Sequence, residues 1–421
     1  MLYTFYGDDF TGSTDVLDQL ASNGVPSVLF LAEPTPEHCA RFPDVEAIGI
    51  AGDSRSRSPQ WMTENLPRIF ATLQSFRAPI NHYKVCSTFD SSPQHGSIGR
   101  ALELGREVFH PAFIPIVVAA PHLGRYVVNG ELFAVTLDGQ IKRIDQHPMA
   151  NHPVTPMREP DLRRHLAAQT STSIGLVTNH TETELSLQLH GEAQAILFDG
   201  ADEQALAATG ELLWSHAQQN PLFAVGSSGL TAALIPAWRN AALIANRQPA
   251  PAQSQNSGPL LVVSGSCSPV TEGQIRWALA NGFQGIAIDP AKLLESADEL
   301  DRIRTITADG LTTGKSVILY TALGPPDTSA CGDTLGQALG RILRHLLQTT
   351  NTRRAVLCGG DTASHAIQQL GIYAFTWAAP VQTGAPLCQA HSDHPALQGI
   401  ELVLKGGQVG TLDFLHVAHR A

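Results

Sequence analysis

Basic residues are scarce in this sequence. Lys and Arg number 27 in 421 residues against 38 Asp and Glu, a formal charge of −11, so nothing draws the chain toward a nucleic-acid backbone or an anionic membrane surface. Any anion it binds must be met by a few placed cations. Cysteine is scarce as well: six residues, no C-x-x-C pair, and Cys331 and Cys358 as the nearest two, which argues against a disulfide framework and a Cys-based zinc site. The 17 histidines form no H-E-x-x-H or other tight ligand set, so no metal site of the protein's own is expected. No apolar run approaches the ~20 residues of a membrane helix. The start, Met1-Leu2-Tyr3-Thr4-Phe5-Tyr6, reaches Asp8 without a basic segment or a small-residue cleavage site, which predicts a reduced, cytoplasmic protein.

What is present is a globular composition, 43 % hydrophobic with Gly and Pro spread along the chain, and length enough for two or three domains. Short apolar runs recur at intervals too long for hairpins: Leu2–Tyr6, Ser27–Leu31, Ala47–Ile50, Phe113–Ala119, Ile174–Val177, Ala195–Phe198 and Leu222–Val225. Helical segments such as Thr14–Ser22, Gln60–Ser75 and Glu203–Gln218 lie between them. This alternation predicts an α/β class, with mainly parallel sheets flanked by helices. Residues Arg247–Pro259 carry three prolines and no aliphatic larger than Ala, and read as a linker. The strand pattern restarts at Leu260–Val263 and continues with Gly285–Ile288, Ser316–Tyr320, Ala355–Leu357 and Leu402–Leu404. Two α/β domains are therefore expected, 1–246 and 258–421, joined by 247–259.

Ligands of open parallel sheets bind beyond the carboxyl ends of strands, so the residues after each run carry most weight. After the first stands Gly7-Asp8-Asp9-Phe10-Thr11-Gly12. The two carboxylates could grip a polyol or act as a general base, or simply cap a helix. Adjacent residues of an extended segment point to opposite sides, so only one of the pair is expected to face a ligand. Arg55, after Ala47–Ile50, could fork onto a carboxylate or phosphate. Lys84, Ser87, Thr88 and Asp90 form a further polar run, and Gly96-Ser97-Ile98-Gly99 leads from it into helix Arg100–Glu107. The second half offers three glycine-rich strand ends, each open to phosphate oxygens: Ser264-Gly265-Ser266, Gly359-Gly360-Asp361-Thr362 and Lys405-Gly406-Gly407. Together they suggest a nucleotide cradle. Gly310-Leu311-Thr312-Thr313-Gly314-Lys315-Ser316 mimics a P-loop but is one residue short between its glycines and runs from helix to strand, so it reads as a turn. Gly226-Ser227-Ser228-Gly229 reads as a tight strand-to-helix turn rather than a nucleophile elbow.

Four blocks, Asp8-Asp9-Phe10-Thr11-Gly12, Lys84-Val85-Cys86-Ser87-Thr88-Phe89-Asp90-Ser91, Ser264-Gly265-Ser266-Cys267-Ser268 and Gly359-Gly360-Asp361-Thr362, resemble the four-carbon acid sugar kinase family. Ser54-Arg55, Asn151–Met157 and Lys405-Gly406-Gly407 are further landmarks, in the same order over nearly the whole chain. The resemblance implies an N-terminal acid-sugar domain, a C-terminal ATP domain and an active site between them. It implies transfer of the γ-phosphoryl of ATP, with Mg²⁺ carried by the nucleotide, to a terminal hydroxyl of a 3-oxo-tetronate, threonate or erythronate. By motif, Asp8, Asp9, Arg55, Lys84, Ser87, Thr88 and Asp90 would meet the acid, with Asp9 as general base ahead of Asp8 and Asp90, and Lys84 beside it in the chemistry. Ser264, Ser266, Gly359, Gly360, Asp361, Thr362, Gly406 and Gly407 would meet ATP. A homodimer stays open, and a non-catalytic sensor of sugar acid or nucleotide is the alternative function. Where 3-oxo-tetronate kinases run Thr-Ala-Lys-Gly-Asn-Ile-Gly, this chain has Pro93-Gln94-His95-Gly96-Ser97-Ile98-Gly99, a departure that bears on which acid fits.

Overall fold

The computed structural model describes residues 1–136, 138–150, 155–245, 258–324 and 333–421, with Asp333 and Asp361 described by their backbone alone. The expected linker therefore lies almost wholly outside the described residues, as does the Asn151–Val154 part of the landmark. By contacts the chain forms two compact units, Met1–Ser27 with Thr35–Pro249, and Val28–Pro34 with Ala250–Ala421.

The first unit holds a seven-stranded sheet. Its strands are β1 (Tyr3–Gly7), β3 (Ala47–Ala51), β4 (Ile80–Lys84), β5 (Ile114–Val117), β9 (Ile174–Val177), β10 (Ala195–Phe198) and β11 (Leu222–Gly226). They lie in the order β3-β1-β4-β11-β5-β10-β9, and every pairing is parallel. Most are short runs buried throughout, as strands covered on both faces must be. The chain moves outward from β1 to β3 and then returns to β4 on the other side of β1. That reversal is a topological switch point, and it puts the carboxyl ends of β3, β1 and β4 side by side, with Gly7 level with Ala51 and with Lys84.

The second unit carries β2 (Ser27–Phe30), β12 (Leu260–Ser264), β13 (Gln284–Ala287), β14 (Val317–Tyr320), β15 (Arg354–Cys358), β16 (Ile372–Gln382), β17 (Ala385–Ser392) and β18 (Glu401–Lys405). The order is β13-β14-β12-β15-β18-β17-β16-β2. The first five run parallel, and β17, β16 and β2 each pair antiparallel with the neighbour before them. A second switch point falls between β12 and β15. Its core packs Leu260, Val262, Val356 and Val403 against Ile275, Phe414 and Leu415.

Three expectations are corrected. The N-terminal domain is not the uninterrupted stretch 1–246, because Val28–Pro34 groups with the second unit, where Phe30 and Leu29 pair with Ala374 and Phe375 of β16. Hairpins do occur: β16 and β17 turn at Thr383-Gly384, and a small meander of β6 (Arg125–Val128), β7 (Glu131–Val135) and β8 (Ile141–Arg143) turns first at Asn129-Gly130. Asn129 and Gly130 both adopt positive φ, as the two-residue hairpin turn of the I′ type requires. Helices also begin earlier than read: Phe10–Ala21 starts directly after its cap, Asp9, and Ile98–Phe109 directly after Ser97. The P-loop mimic is a helix-to-strand turn, falling between helix Ala297–Thr312 and β14.

Candidate active site

At the carboxyl edge of β3-β1-β4, four charges meet. Asp8 follows β1, and its N–H donates to the Lys84 carbonyl at 2.9 Å. Asp9 comes next, as N-cap of Phe10–Ala21, one oxygen accepting from the Gly12 N–H at 3.0 Å and the other from the Thr11 hydroxyl at 2.6 Å. The helix-cap reading of Asp9 is thus what the structure shows. Arg55, in the turn Ser54–Ser56 after β3, forks onto Asp8 at 3.1 Å (Nε) and 2.7 Å (Nη2), and onto Asp9 at 3.2 Å (Nη1) and 2.9 Å (Nη2). Both carboxylates therefore face the same cation, against the expectation that strand alternation would separate them. Alternation ends with the strand at Gly7, and both aspartates lie in the bend beyond it.

Lys84 is the last residue of β4 and only 2 % exposed, and its side-chain amine makes no hydrogen bond or ion pair among the described residues. Its amine stands 2.6 Å from where a side-chain carbon on Gly12 would sit, and Asp9 Oδ1 is 2.3 Å from that same point, so a side chain there would displace both groups. Burial pushes the Asp8 carboxyl above its ordinary range, with the Asp9 charge adding to the rise and Arg55 opposing it. Burial acts upward on Asp9 as well, but Arg55, Lys84, the Thr11 hydroxyl and the Gly12 N–H outweigh it and hold its carboxyl below the ordinary range. Neighbouring carboxyls with separated proton affinities are a mark of acid–base sites.

Beneath the charges, Tyr6 and Tyr83 stack at 5.8 Å and the Tyr83 hydroxyl meets Ser54 Oγ at 2.9 Å, fixing the turn that carries Arg55. The run after β4 folds back through a turn in which the Phe89 N–H donates to the Cys86 carbonyl at 2.9 Å. Phe89 adopts φ 61°, a conformation costly for a bulky residue. It sits between Thr88 and Asp90, whose side chains join at 2.6 Å, while Asp90 Oδ1 is buried without a hydrogen-bond partner. Ser87 is half-buried in the same turn. Of the two departures from the kinase pattern, His95 is exposed and Ser97 Oγ accepts the Arg100 N–H at 3.1 Å as helix cap, a task Asn performs equally well.

In the second unit the three glycine-rich turns leave adjacent parallel strands, with Ser264 level with Cys358 and Cys358 level with Lys405. They converge. A side-chain carbon on Gly407 would stand 2.9 Å from Ser266 Oγ, one on Gly359 3.3 Å from both Ser266 Cβ and Thr362 Oγ1, and one on Gly265 2.3 Å from Thr362 Oγ1. Gly359 has φ 107°, open only to glycine. Helices Pro269–Ala280 and Gly360–Ile367 start at this cluster, and the positive ends of their dipoles with them. Ser264 serves the cluster from within, its hydroxyl accepting from the Ser266 N–H at 3.4 Å. Gly406 lies aside, against Val409. Lys405, grouped with the cradle from sequence, turns inward: its amine donates to Thr271 Oγ1 and the Gly406 carbonyl, both at 2.9 Å, over the Phe414 ring.

Two family models match the chain in tandem, a sugar-binding N-terminal domain over residues 3–234 and a nucleotide-binding C-terminal domain over 261–415. The chain belongs to the four-carbon acid sugar kinase family. Among relatives of this family, the chain is 42 % identical to the 3-oxo-isoapionate kinase of Paraburkholderia graminis, over 98 % of this chain and 93 % of that one. It is 30 % identical to the 3-oxo-tetronate kinase of Pseudomonas savastanoi pv. phaseolicola, over 97 % and 94 %. A solved Haemophilus influenzae protein superposes with a TM-score of 0.72 at 25 % identity over 99 % of both chains. In this family member, sequence reasoning gave Cys86 no role of its own and missed the Tyr6–Tyr83 stack and Arg125; the Asn129-Gly130 hairpin signal, which fixes where Arg125 stands, was legible.

Proposed function

We propose that this kinase phosphorylates a 3-oxo sugar acid, with 3-oxo-isoapionate the first substrate to test, since the 3-oxo-isoapionate kinase is closer in sequence than the 3-oxo-tetronate kinase. The observation that carries the proposal is the Asp9 carboxylate fixed beside an uncommitted, buried Lys84 at a switch point. Asp9 accepts the proton of the attacking hydroxyl as its oxygen bonds to the γ-phosphorus and the bond to ADP breaks. Lys84 and Arg55 offset the charge of the transferring group, and Arg55 also holds Asp8 and Asp9 in register. Ser87, Thr88 and Asp90 offer hydroxyl and carboxylate partners to the acid's hydroxyls.

The nucleotide belongs to the second unit, on Ser266, Gly359, Gly360, Thr362 and Gly407, with Ser264 and Gly406 supporting and the Asp361 backbone at the helix start. Magnesium would arrive on the ATP phosphates, where it would neutralise charge, and the Ser266 and Thr362 hydroxyls are oxygen donors of the kind a hard cation takes. No helix among the described residues is long and apolar enough to cross a membrane, and a cytoplasmic kinase is the reading we carry forward. ADP release by purified protein with Mg-ATP, measured against 3-oxo-isoapionate, 3-oxo-tetronate, D-threonate and D-erythronate, tests the proposal. Turnover of a 3-oxo acid supports it. Binding of acid and nucleotide without turnover across the panel would replace it with a sensor.

A further inference from the structure

A sugar acid brings a carboxylate as well as hydroxyls, and the cation expected to hold it is already engaged: Arg55 donates four hydrogen bonds to Asp8 and Asp9. A second arginine stands on the same edge of the sheet. Arg125 opens β6, and its backbone bridges Ala120, just beyond the carboxyl end of β5. Two residues on, Val127 bridges Gly200, just beyond β10. Because every pairing in this sheet is parallel, those ends share one edge with Asp8, Arg55 and Lys84.

The guanidinium of Arg125 is under-used. Nη1 donates to the Leu123 carbonyl at 2.6 Å and the Gly124 carbonyl at 3.2 Å, which holds the group in place. Nη2 meets only the Met149 thioether, at 3.2 Å, a weak acceptor, and Nε is buried with no partner. The Nε–Nη2 edge is the side-on fork that Arg55 turns on Asp8, and on Arg125 it has no oxygen. Among the described residues no carboxylate lies within ion-pair distance of it. Cys86 interacts electrostatically with Asp90, Arg55 and Lys84, and Arg125 with Cys86 and Asp90, so the groups are neighbours. Asp90 brings its own vacancy, the unpartnered Oδ1.

We infer that Arg125 is the anchor of the substrate's carboxylate, taken side-on by the Nε–Nη2 edge, while Asp90 Oδ1 accepts from a neighbouring hydroxyl. A forked, charge-assisted pair fixes the acid's orientation as well as its affinity, so the reactive hydroxyl is presented from a defined end of the molecule. This rests on the sugar-acid kinase reading above.

The test takes whichever of the four acids the wild-type enzyme turns over best, together with the carboxamide of the same acid, and measures kcat/KM for both. In Arg125→Met the preference for acid over amide should fall ten- to a hundredfold, through the KM of the acid, with the KM of ATP unchanged. Arg125→Lys, which keeps charge and stem but not the fork, should retain part of the preference, and it answers the question if the Met variant does not fold. A preference within twofold of wild type in both variants overturns the inference and leaves the kinase reading standing. If the wild type turns over none of the acids, the kinase reading fails separately. Calorimetric titration of wild type and variants with D-erythronate and D-threonate then decides the anchor alone, equal affinities counting against it.

Discussion

At the carboxyl edge of the first sheet, two carboxylates and two cations form one buried cluster in which Arg55 serves Asp8 and Asp9 together. At the corresponding edge of the second sheet, Ser266 and Thr362 hydroxyls stand among glycines, and the one lysine, Lys405, is spent on Thr271 and Gly406. Both sites are suited to anionic ligands, yet among the described side chains only the first is built from charge. The reason lies in the chemistry asked of each edge. Deprotonating a hydroxyl needs a carboxylate, and a buried carboxylate needs cations around it. Cradling phosphate needs only N–H groups and room for the backbone to come close. The first site should therefore fail when a charge is removed, and the second when an atom is added.

The largest effect expected on the charged side is Asp9→Asn, which should lower kcat roughly 10²- to 10⁴-fold while ATP affinity stays intact. Steady-state ADP release and a nucleotide titration on parallel Asp8→Asn, Asp9→Asn and Asp90→Asn enzymes check this, and a near-normal kcat in Asp9→Asn would pass the role to one of the others. Next comes Arg55→Ala, which leaves two adjacent buried carboxylates without their cation. It should cost on the order of 3–5 kcal/mol of stability, seen as a lower urea midpoint, and should raise the KM of the acid more than that of ATP. An unchanged midpoint would mean that the cluster relaxes into water.

On the backbone side, Gly359→Ala forces a side chain into φ 107°, at about 1–3 kcal/mol, and crowds Ser266 and Thr362. ATP affinity should drop about tenfold or more with the acid's KM unchanged, and a shift in the acid's KM instead would break the division of labour. The smallest expected effect tests burial without chemistry. His82, beneath the first site in β4, accepts from Tyr3 at 2.6 Å and donates to the Gly226 carbonyl at 3.0 Å, and burial pulls its pKa down to about 3. The unfolded chain takes up a proton near pH 6.5 that the folded one refuses. Stability is thus fully present above that pH and falls as pH drops toward about 3, by up to about 1.4 kcal/mol per unit. His82→Gln should flatten this acid limb in denaturation measured between pH 7 and 4. A limb as steep as in wild type would place the uptake elsewhere, with His165, also pulled down by burial to about 4, the first alternative.

The sequence by itself determined the α/β class, the short buried strands and the glycine-rich strand ends, because each follows from local apolar runs and from turn residues whose backbone needs are local. It also placed Asp8, Asp9, Arg55 and Lys84 as candidates, since residues after strands of a parallel sheet share one edge. The Asn129-Gly130 turn is legible as a hairpin, whereas Thr383-Gly384 carries no such signal. Tertiary structure alone decided the rest. That Val28–Pro34 joins the second unit depends on a partner strand more than 300 residues away. That Asp8 and Asp9 face one arginine depends on where β1 stops. The inward turn of Lys405 and the open edge of Arg125 depend on which oxygens other elements bring within reach, and pairing between distant residues has no signature in the local sequence.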